Sequence, residues 1–166
     1  MTDSGGCEGA AVSTEGPERT WCVVVPHHGT GARQARHWLA DELAVVIPSG
    51  LLADLVAVLA ELVGNAVRHA QPLPGGGIRV AWEIHNTPAG PRVRLQVTDG
   101  GALTEPRLRA IDPDAPDGRG LRIVAGLSTR WGIDRDGLGQ NVWAEFEPAA
   151  GPVGTDAHDR SDLVVA

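Results

Sequence analysis

The pattern of hydrophobic and polar residues predicts five β-strands. Residues 78–86 and 92–99 alternate apolar with polar side chains, the pattern of strands that bury one face. The short segment between them, with its Pro and Gly, predicts a hairpin. A second hairpin is predicted from residues 131–136 and 140–148, across a Gly-Leu-Gly turn. A β-branched run that ends in proline, residues 21–26, adds the fifth strand.

Apolar residues at helical spacing predict three helices. The first covers residues 31–47, the second residues 51–70 with Ser49 as its N-cap, and the third residues 121–131. The order β-α-α-β-β-loop-α-β-β favours an α+β fold. We expect a two-layer sandwich in which helices cover one face of a mixed, mostly antiparallel sheet.

Composition divides the chain into one domain and two tails. Residues 1–20 are rich in Gly, Ser, Thr and Glu, which predicts a disordered N-terminal tail. Residues 21–147 are predicted to form one domain, and residues 148–166 a flexible C-terminal tail. The N-terminus lacks the basic and apolar regions of a signal peptide. Polar residues interrupt the most apolar helix, so we expect no membrane span.

The charged residues exclude several classes of site. All 14 basic residues are arginine, so mechanisms that need a lysine, such as the P-loop or a Schiff base, are excluded. A net charge of −7 argues against nucleic acid as the main partner. Cys7 and Cys22 have no metal-binding spacing, and we expect free thiols in a reducing cytosol.

The second predicted helix carries a polar stripe within an otherwise apolar sequence. Asp54, Glu61, Asn65, Arg68 and His69 fall within about 100° of the helix circumference. One interpretation is structural, with an Arg68–Glu61 contact and a capping histidine. The other is chemical, because a carboxylate can act as a general base and an amide oxygen can ligate Mg²⁺. The spacing alone does not decide between them.

Two glycine-rich segments follow. Asp99 ends a predicted strand and precedes Gly100 and Gly101. This sequence is typical of an ordinary turn. The alternative interpretation is that the strand end presents the Asp99 carboxylate to an exocyclic amine of a ligand. The segment Gly118–Gly120 directly precedes the third helix. There it forms either a flexible helix entry or an anion site, where helix N–H groups and Arg119 contact a phosphate.

The order of these three clusters resembles the N, G1 and G2 boxes of the GHKL-type ATPases, which include gyrase and histidine kinases. The stretches "ELVGNAVRHA" and "GRGLRIVAGLSTRWGI" are most similar to the small single-domain branch of that superfamily. That branch contains the anti-sigma factor serine/threonine kinases and related bacterial ATP-binding regulators. The resemblance covers about residues 21–147 and implies ATP and Mg²⁺ as cofactors.

The resemblance also implies a role for each matching residue. Glu61 matches the general base, Asn65 the Mg²⁺ ligand, and Asp99 the residue that binds the adenine amine. Residues 102–117 match a mobile lid, and His69 receives no role. The other matching residues are Gly101, which lines the base pocket, and the phosphate-binding turn Gly118, Arg119, Gly120 and Leu121.

The chain departs from the superfamily pattern at three positions. Leu103 replaces the second glycine of the G1 box, and Arg122 replaces a glycine that often follows the G2 leucine. Many members carry a threonine near adenine on the last strand, and Asn141 is the nearest polar candidate here. These departures bear on affinity and catalysis more than on the fold.

The resemblance implies a cytoplasmic, Mg²⁺-dependent serine/threonine protein kinase. Its partners would be a sigma factor and a small antagonist protein that accepts the γ-phosphate of ATP, without direct binding to nucleic acid or membrane. A homodimer is an open alternative. A module that binds ATP and sequesters a partner without transferring phosphate is a second hypothesis. An interaction domain with a decayed nucleotide site is a third.

Overall fold

The computed structural model describes residues 18–101, 119–136 and 139–148. Gly118, the lid prediction at 102–117 and most of both predicted tails lie outside these ranges. The predicted element order is confirmed, although the first strand begins two residues earlier than expected. The elements are β1 Arg19–Pro26, α1 Gly29–Leu43, α2 Ser49–His69, β2 Gly77–Thr87, β3 Gly90–Asp99, α3 Arg119–Leu127, β4 Arg130–Asp136 and β5 Gly139–Phe146.

The five described strands form one sheet in the order β1-β2-β3-β5-β4. Every described pair is antiparallel, so the sheet is not mixed in this part of the chain. In the β3–β5 pair, Asp99 lies opposite Gln140 and Thr98 lies opposite Asn141. Because side chains alternate between the faces of a sheet, Asp99 and Gln140 share one face and Thr98 and Asn141 the other.

One face of the sheet and the three helices enclose a single hydrophobic core, so the α+β two-layer fold is confirmed. Helix α2 is central, because it contacts α1, α3, β3 and β5. The opposite face of the sheet is polar, and there Arg94 donates to Glu145 at 2.7 Å. The strand residues of the core include Ile78, Val80, Trp82, Ile84, Val93, Leu95, Val97, Val142, Ala144 and Phe146.

The start of α2 differs from the prediction. Pro48 occupies the N-cap position with ψ of 145°, and no side chain caps the helix. The Pro48 carbonyl accepts the Leu52 N–H at 3.0 Å, so Ser49 is already helical. The prediction of Ser49 as N-cap is therefore wrong by one residue. Helix α1 ends at Leu43, four residues before the predicted end, and in the turn that follows the Leu43 carbonyl accepts both Val46 N–H and Ile47 N–H.

Helix α2 is long and apolar enough, by length and composition, to cross a membrane. In the fold it is a core helix. Its buried residues, which belong to the hydrophobic core shared with the sheet and the other helices, include Leu55, Val58, Leu59 and Leu62. Its apolar sequence is thereby accounted for by packing inside an α+β domain of the soluble type. The remaining side of the helix carries the polar stripe.

Candidate functional site

Glu61 and Asn65 lie one turn apart on α2, and both are partly buried. The backbone of Gly120, in the first turn of α3, packs against them. A Cβ atom at position 120 would lie 2.5 Å from Glu61 Oε2 and 3.5 Å from Asn65 Oδ1. A larger residue at position 120 would therefore force the Glu61 carboxylate to move. The fold brings together two segments that are 55 or more positions apart in sequence, which supports the chemical interpretation of the stripe.

The polar stripe contains one internal hydrogen bond. Arg68 Nη2 donates to Asn65 Oδ1 at 2.9 Å. Gly64 leaves room for this contact, since a Cβ there would lie 3.1 Å from Arg68 Nη1. The alternative Arg68–Glu61 contact is not formed, and Glu61 has no ion pair or hydrogen bond within the described residues. The carboxylate of Glu61 is thus left for another partner.

The start of α3 is anchored by Leu121, which is 5% exposed and belongs to the hydrophobic core. Arg119 is the first residue of the helix and is exposed, as is Arg122. Leu121 therefore holds the first turn of α3 against the domain while the Arg119 side chain remains in solvent. Of the predicted phosphate-binding turn, the structure describes the part from Arg119 to Leu121.

Asp99 ends β3 and is 3% exposed. Its Oδ1 accepts the N–H of Gly101 at 2.8 Å, and Gly101 has φ of +88°, a conformation that favours glycine. Burial raises the pKa of the Asp99 carboxyl, although the Gly101 N–H and the charge of His27 oppose the rise. A buried carboxylate with one oxygen turned to backbone is suited to accept a hydrogen bond from a ligand amine.

Backbone contacts join the Asp99 turn to the end of α2. Gln71 N–H donates to the Gly101 carbonyl at 2.9 Å, and Gly100 N–H donates to the Gln71 carbonyl at 2.7 Å. A Cβ on Gly100 would lie 2.3 Å from the Pro72 carbonyl oxygen. The turn after β3 and the end of the helix that bears Glu61 and Asn65 are therefore held in a fixed relation.

His27 strengthens the same junction. Its Nε2 lies 3.0 Å from the carbonyl oxygens of both Ala66 and Ala70, so this nitrogen must be the donor. The end of β1 is thereby joined to the last turn of α2. The one signal of His27 in the sequence is its position directly after a predicted strand.

The interpretation of Asn141 as the polar residue of the last strand near the site is wrong. Asn141 lies on the polar outer face, where it accepts from Thr98 at 3.3 Å and donates to Gln96 at 3.1 Å. Its neighbour Gln140 lies beside Asp99 on the helix-facing side and is 2% exposed. The error is one of strand parity, because adjacent residues point to opposite faces.

The donor set of the site fits Mg²⁺. Within the described residues no cluster of three or more His, Cys, Asp or Glu is arranged to hold a metal ion. Mg²⁺ usually keeps several waters and binds one or two protein oxygens together with substrate phosphates. The amide oxygen of Asn65, with the Glu61 carboxylate one turn away, meets that requirement.

Known proteins are similar to this chain in sequence family and in fold. A family model described as the histidine kinase-like ATPase domain matches residues 26–146, which include the whole candidate site. None of the curated proteins matches the sequence significantly.

Among solved structures, the RsbU and RsbW domains of Rv1364c from Mycobacterium tuberculosis are similar. The TM-score is 0.56 and the identity 21%, and the match covers 78% of this chain and 32% of that chain. The chain thus accounts for about a third of the length of that neighbour, and the similarity supports the fold. Because the family match spans most of the sequence, the chain belongs to the histidine kinase-like ATPase domain family.

Proposed function

We propose that this protein is a cytoplasmic serine/threonine protein kinase of the anti-sigma-factor type, which uses ATP and Mg²⁺. The observation that carries the proposal is the contact of the Gly120 backbone with Glu61 and Asn65. It joins a candidate base, a candidate metal ligand and the N-terminus of a helix in one place. The family membership supports ATP as the nucleotide.

The residues of the proposed nucleotide site divide into an adenine end and a phosphate end. Asp99 would accept a hydrogen bond from the adenine amine, and Gly101 would leave room for the flat ring. At the other end, the first turn of α3 offers N–H groups and a positive helix dipole, and Arg119 adds charge. Asn65 would hold Mg²⁺, which supplies the positive charge that phosphoryl transfer requires.

Glu61 is the candidate general base. Its carboxylate has no ion-pair partner in the described residues and faces the Gly120 backbone at the phosphate end. A Ser or Thr hydroxyl that approached this end could transfer its proton to Glu61 as its oxygen attacked the γ-phosphorus. The bond from the γ-phosphorus to the β–γ bridging oxygen would break in the same step, and ADP would leave with that oxygen. The remaining work of phosphoryl transfer is positioning and charge stabilisation.

The proposed partners are a sigma factor, which the protein would bind, and a small antagonist protein, which would accept the phosphate. The resemblance of "ELVGNAVRHA" and "GRGLRIVAGLSTRWGI" to anti-sigma factor kinases supports this choice. The structural neighbour has an RsbW domain beside an RsbU domain, which supports a regulatory setting. A second candidate, an ATP-binding module without transfer, is favoured by Arg122 and Leu103 at positions where the superfamily often has glycine.

The experiment that tests the kinase proposal uses ATP labelled at the γ-phosphate. The full chain is incubated with Mg²⁺ and with small antagonist-like proteins encoded by neighbouring genes. We expect label on one Ser or Thr of one of them. ATP binding without transfer to any of these proteins would contradict the kinase proposal and leave the module.

Gly120→Ala should disturb the phosphate end without unfolding the protein. The new Cβ would lie 2.5 Å from Glu61 Oε2, so the carboxylate must move away. Because that atom ends a flexible side chain, we expect the melting temperature to change by less than about 3 °C. Phosphoryl transfer should fall about tenfold or more, since misplaced catalytic groups are costly. Gly126→Ala, where a Cβ meets no atom within 4 Å, is the matched control.

Arg68→Gln should make Mg²⁺ bind more readily. Arg68 now donates to the Asn65 oxygen that would ligate the metal, so the two cations compete for it. In titrations of ATP binding against Mg²⁺, we expect the half-saturating Mg²⁺ concentration to fall about two- to fivefold. Arg33→Gln, on an exposed position of α1, should leave it unchanged. Weaker ATP binding in the absence of Mg²⁺ would instead show that Arg68 contacts phosphate.

A further inference from the structure

Helix α2 ends without a cap from its own sequence. Ala70 follows the last helical residue with an extended backbone, at φ of −114° and ψ of 165°, and none of the next four residues is a glycine that could close the helix. The Ala70 carbonyl cannot be bonded by the residue four positions on, because Pro74 has no N–H. The open carbonyls of this helix end therefore need a donor from elsewhere.

His27 supplies that donor from the junction between β1 and α1. Its Nε2 lies 3.0 Å from the Ala66 oxygen and 3.0 Å from the Ala70 oxygen, so one N–H is shared between two carbonyls of the last turn. The Ala66 carbonyl also accepts the Ala70 N–H at 3.1 Å. Among the described residues the partly buried ring makes no other hydrogen bond, so its contacts of this kind are confined to the helix end.

Gln71 comes directly after this helix end, and its backbone holds the turn after β3. The Gln71 N–H donates to the Gly101 carbonyl, and the Gln71 carbonyl accepts the Gly100 N–H. The Gly101 N–H in turn donates to Asp99 Oδ1. A connected path of backbone and hydrogen bonds thus runs from the His27 ring, through the end of α2, to the Asp99 carboxylate.

The charge of His27 acts on the same carboxylate. Burial raises the pKa of the Asp99 carboxyl, while the Gly101 N–H and the positive charge of His27 lower it. His27 therefore favours the ionised form of Asp99, in which both oxygens are hydrogen-bond acceptors. The imidazole thus acts on Asp99 through the helix end and also through space.

We propose that His27 is a positioning residue for the adenine end of the site. Its shared N–H holds the end of α2 and, through Gln71, the turn that places the Asp99 carboxylate. This inference rests on the proposed function, in that the site must bind ATP. Because His27 acts through Asp99 and not on the nucleotide itself, the effects of the two residues on ATP binding should be coupled.

A double-mutant cycle tests this coupling. ATP affinity in the presence of Mg²⁺ is measured by calorimetry for wild type, His27→Leu, Asp99→Asn and the double variant. In the wild-type background we expect His27→Leu to weaken ATP binding about three- to tenfold, the range for a lost hydrogen bond. In the Asp99→Asn background the same change should weaken it by less than about twofold, because the acceptor that His27 positions is already altered.

Stability and a conservative variant separate positioning from a purely structural role. The melting temperature should fall by a few degrees on His27→Leu in both backgrounds, since the helix end loses its donor in each. His27→Gln places an amide N–H at about the reach of Nε2, so it should recover most of the ATP affinity lost in His27→Leu. If the leucine variant does not fold, His27→Asn, with an amide about one bond shorter, replaces it.

His28→Leu is the matched control. His28 is the neighbouring imidazole, and it is exposed and bonded to Thr30 Oγ1 rather than to α2. We expect this variant to keep ATP affinity within about twofold of wild type, because nothing joins its ring to the Asp99 turn.

The outcomes separate this inference from the function on which it rests. Unchanged ATP affinity in His27→Leu, additive losses in the cycle, or a His27→Gln variant as weak as His27→Leu would overturn the role of His27 while ATP binding stands. If the wild-type protein does not bind ATP, the proposed function fails and the inference fails with it. A loss of affinity that disappears in the Asp99→Asn background, while the loss of stability persists, supports the inference.

Discussion

Replacement of Glu61 by glutamine is expected to slow phosphoryl transfer by about 10²–10⁴-fold, the usual contribution of a general base. The variant keeps the size of the side chain and its place against Gly120, so the geometry of the phosphate end should persist. ATP affinity should remain within about threefold of wild type, because a base acts on the proton of the attacking hydroxyl in the transition state. Single-turnover transfer of labelled phosphate and calorimetric ATP binding measure the two quantities separately.

Asp54→Asn is the matched control for this prediction. Asp54 lies on the same helix nearly two turns before Glu61, and its substitution also removes one carboxylate. We expect transfer by this variant to match wild type within about twofold, because Asp54 lies about 10 Å along the helix from Glu61. Normal transfer by Glu61→Gln would show that Glu61 is not the base. Equal losses in both variants would indicate a general effect of helix charge.

Replacement of Asp99 by asparagine should weaken ATP binding by about 10–100-fold, because hydrogen bonds to charged groups contribute more than neutral ones. The same change should stabilise the nucleotide-free protein near neutral pH. Burial raises the pKa of Asp99, so the folded state holds this proton more tightly than the unfolded state. Stability therefore decreases as pH rises through the window between the two pKa values, and an uncharged asparagine avoids that loss.

Melting temperatures of wild type and Asp99→Asn, measured from mildly acidic to neutral pH, test the direction of this change in stability. We expect the advantage of the variant to be largest at neutral pH and to shrink as pH falls through the raised pKa of Asp99. In Asp54→Asn, which also removes one carboxylate from a helix, we expect no such gain in melting temperature. A variant that is less stable than wild type at neutral pH would contradict the inferred cost of the buried carboxylate.

Most of the fold follows from periodicity. The alternation in 78–86 and 92–99 predicts β2 and β3 because each strand buries one face, and the apolar spacing of α2 predicts its length within two residues. The N-cap was misplaced because Ser49 and Pro48 both suit a helix start, and only the backbone angles decide. The antiparallel pairing of every described strand also depends on tertiary arrangement.

The site was predictable only in part. Glu61 and Asn65 are marked by their spacing, but their contact with Gly120 joins distant segments, which a local pattern does not reveal. Arg68 can reach either Asn65 or Glu61 from its place on the helix, so its actual partner depends on packing around Gly64. The placement of Gln140 on the helix-facing side could have been predicted, because it lies two residues before the apolar Val142 on the same strand.

His27 illustrates a different limit. Its bonds to the Ala66 and Ala70 carbonyls exist because β1 ends beside the last turn of α2. A histidine after a strand is common in loops, and no residue pattern indicates that two helix carbonyls lie within reach. Such contacts follow from the assembled core rather than from any single element.

Calorimetric titration of the wild-type protein with ATP, with Mg²⁺ present and after its removal by a chelator, tests the nucleotide site most directly. We expect one ATP per chain in the presence of Mg²⁺, with affinity about tenfold or more weaker after chelation or in Asn65→Ala, as expected for a lost metal-bridged contact. Absence of binding at millimolar ATP, or binding that neither Mg²⁺ nor Asn65 affects, would contradict the site described by Glu61, Asn65, Asp99 and Gly120.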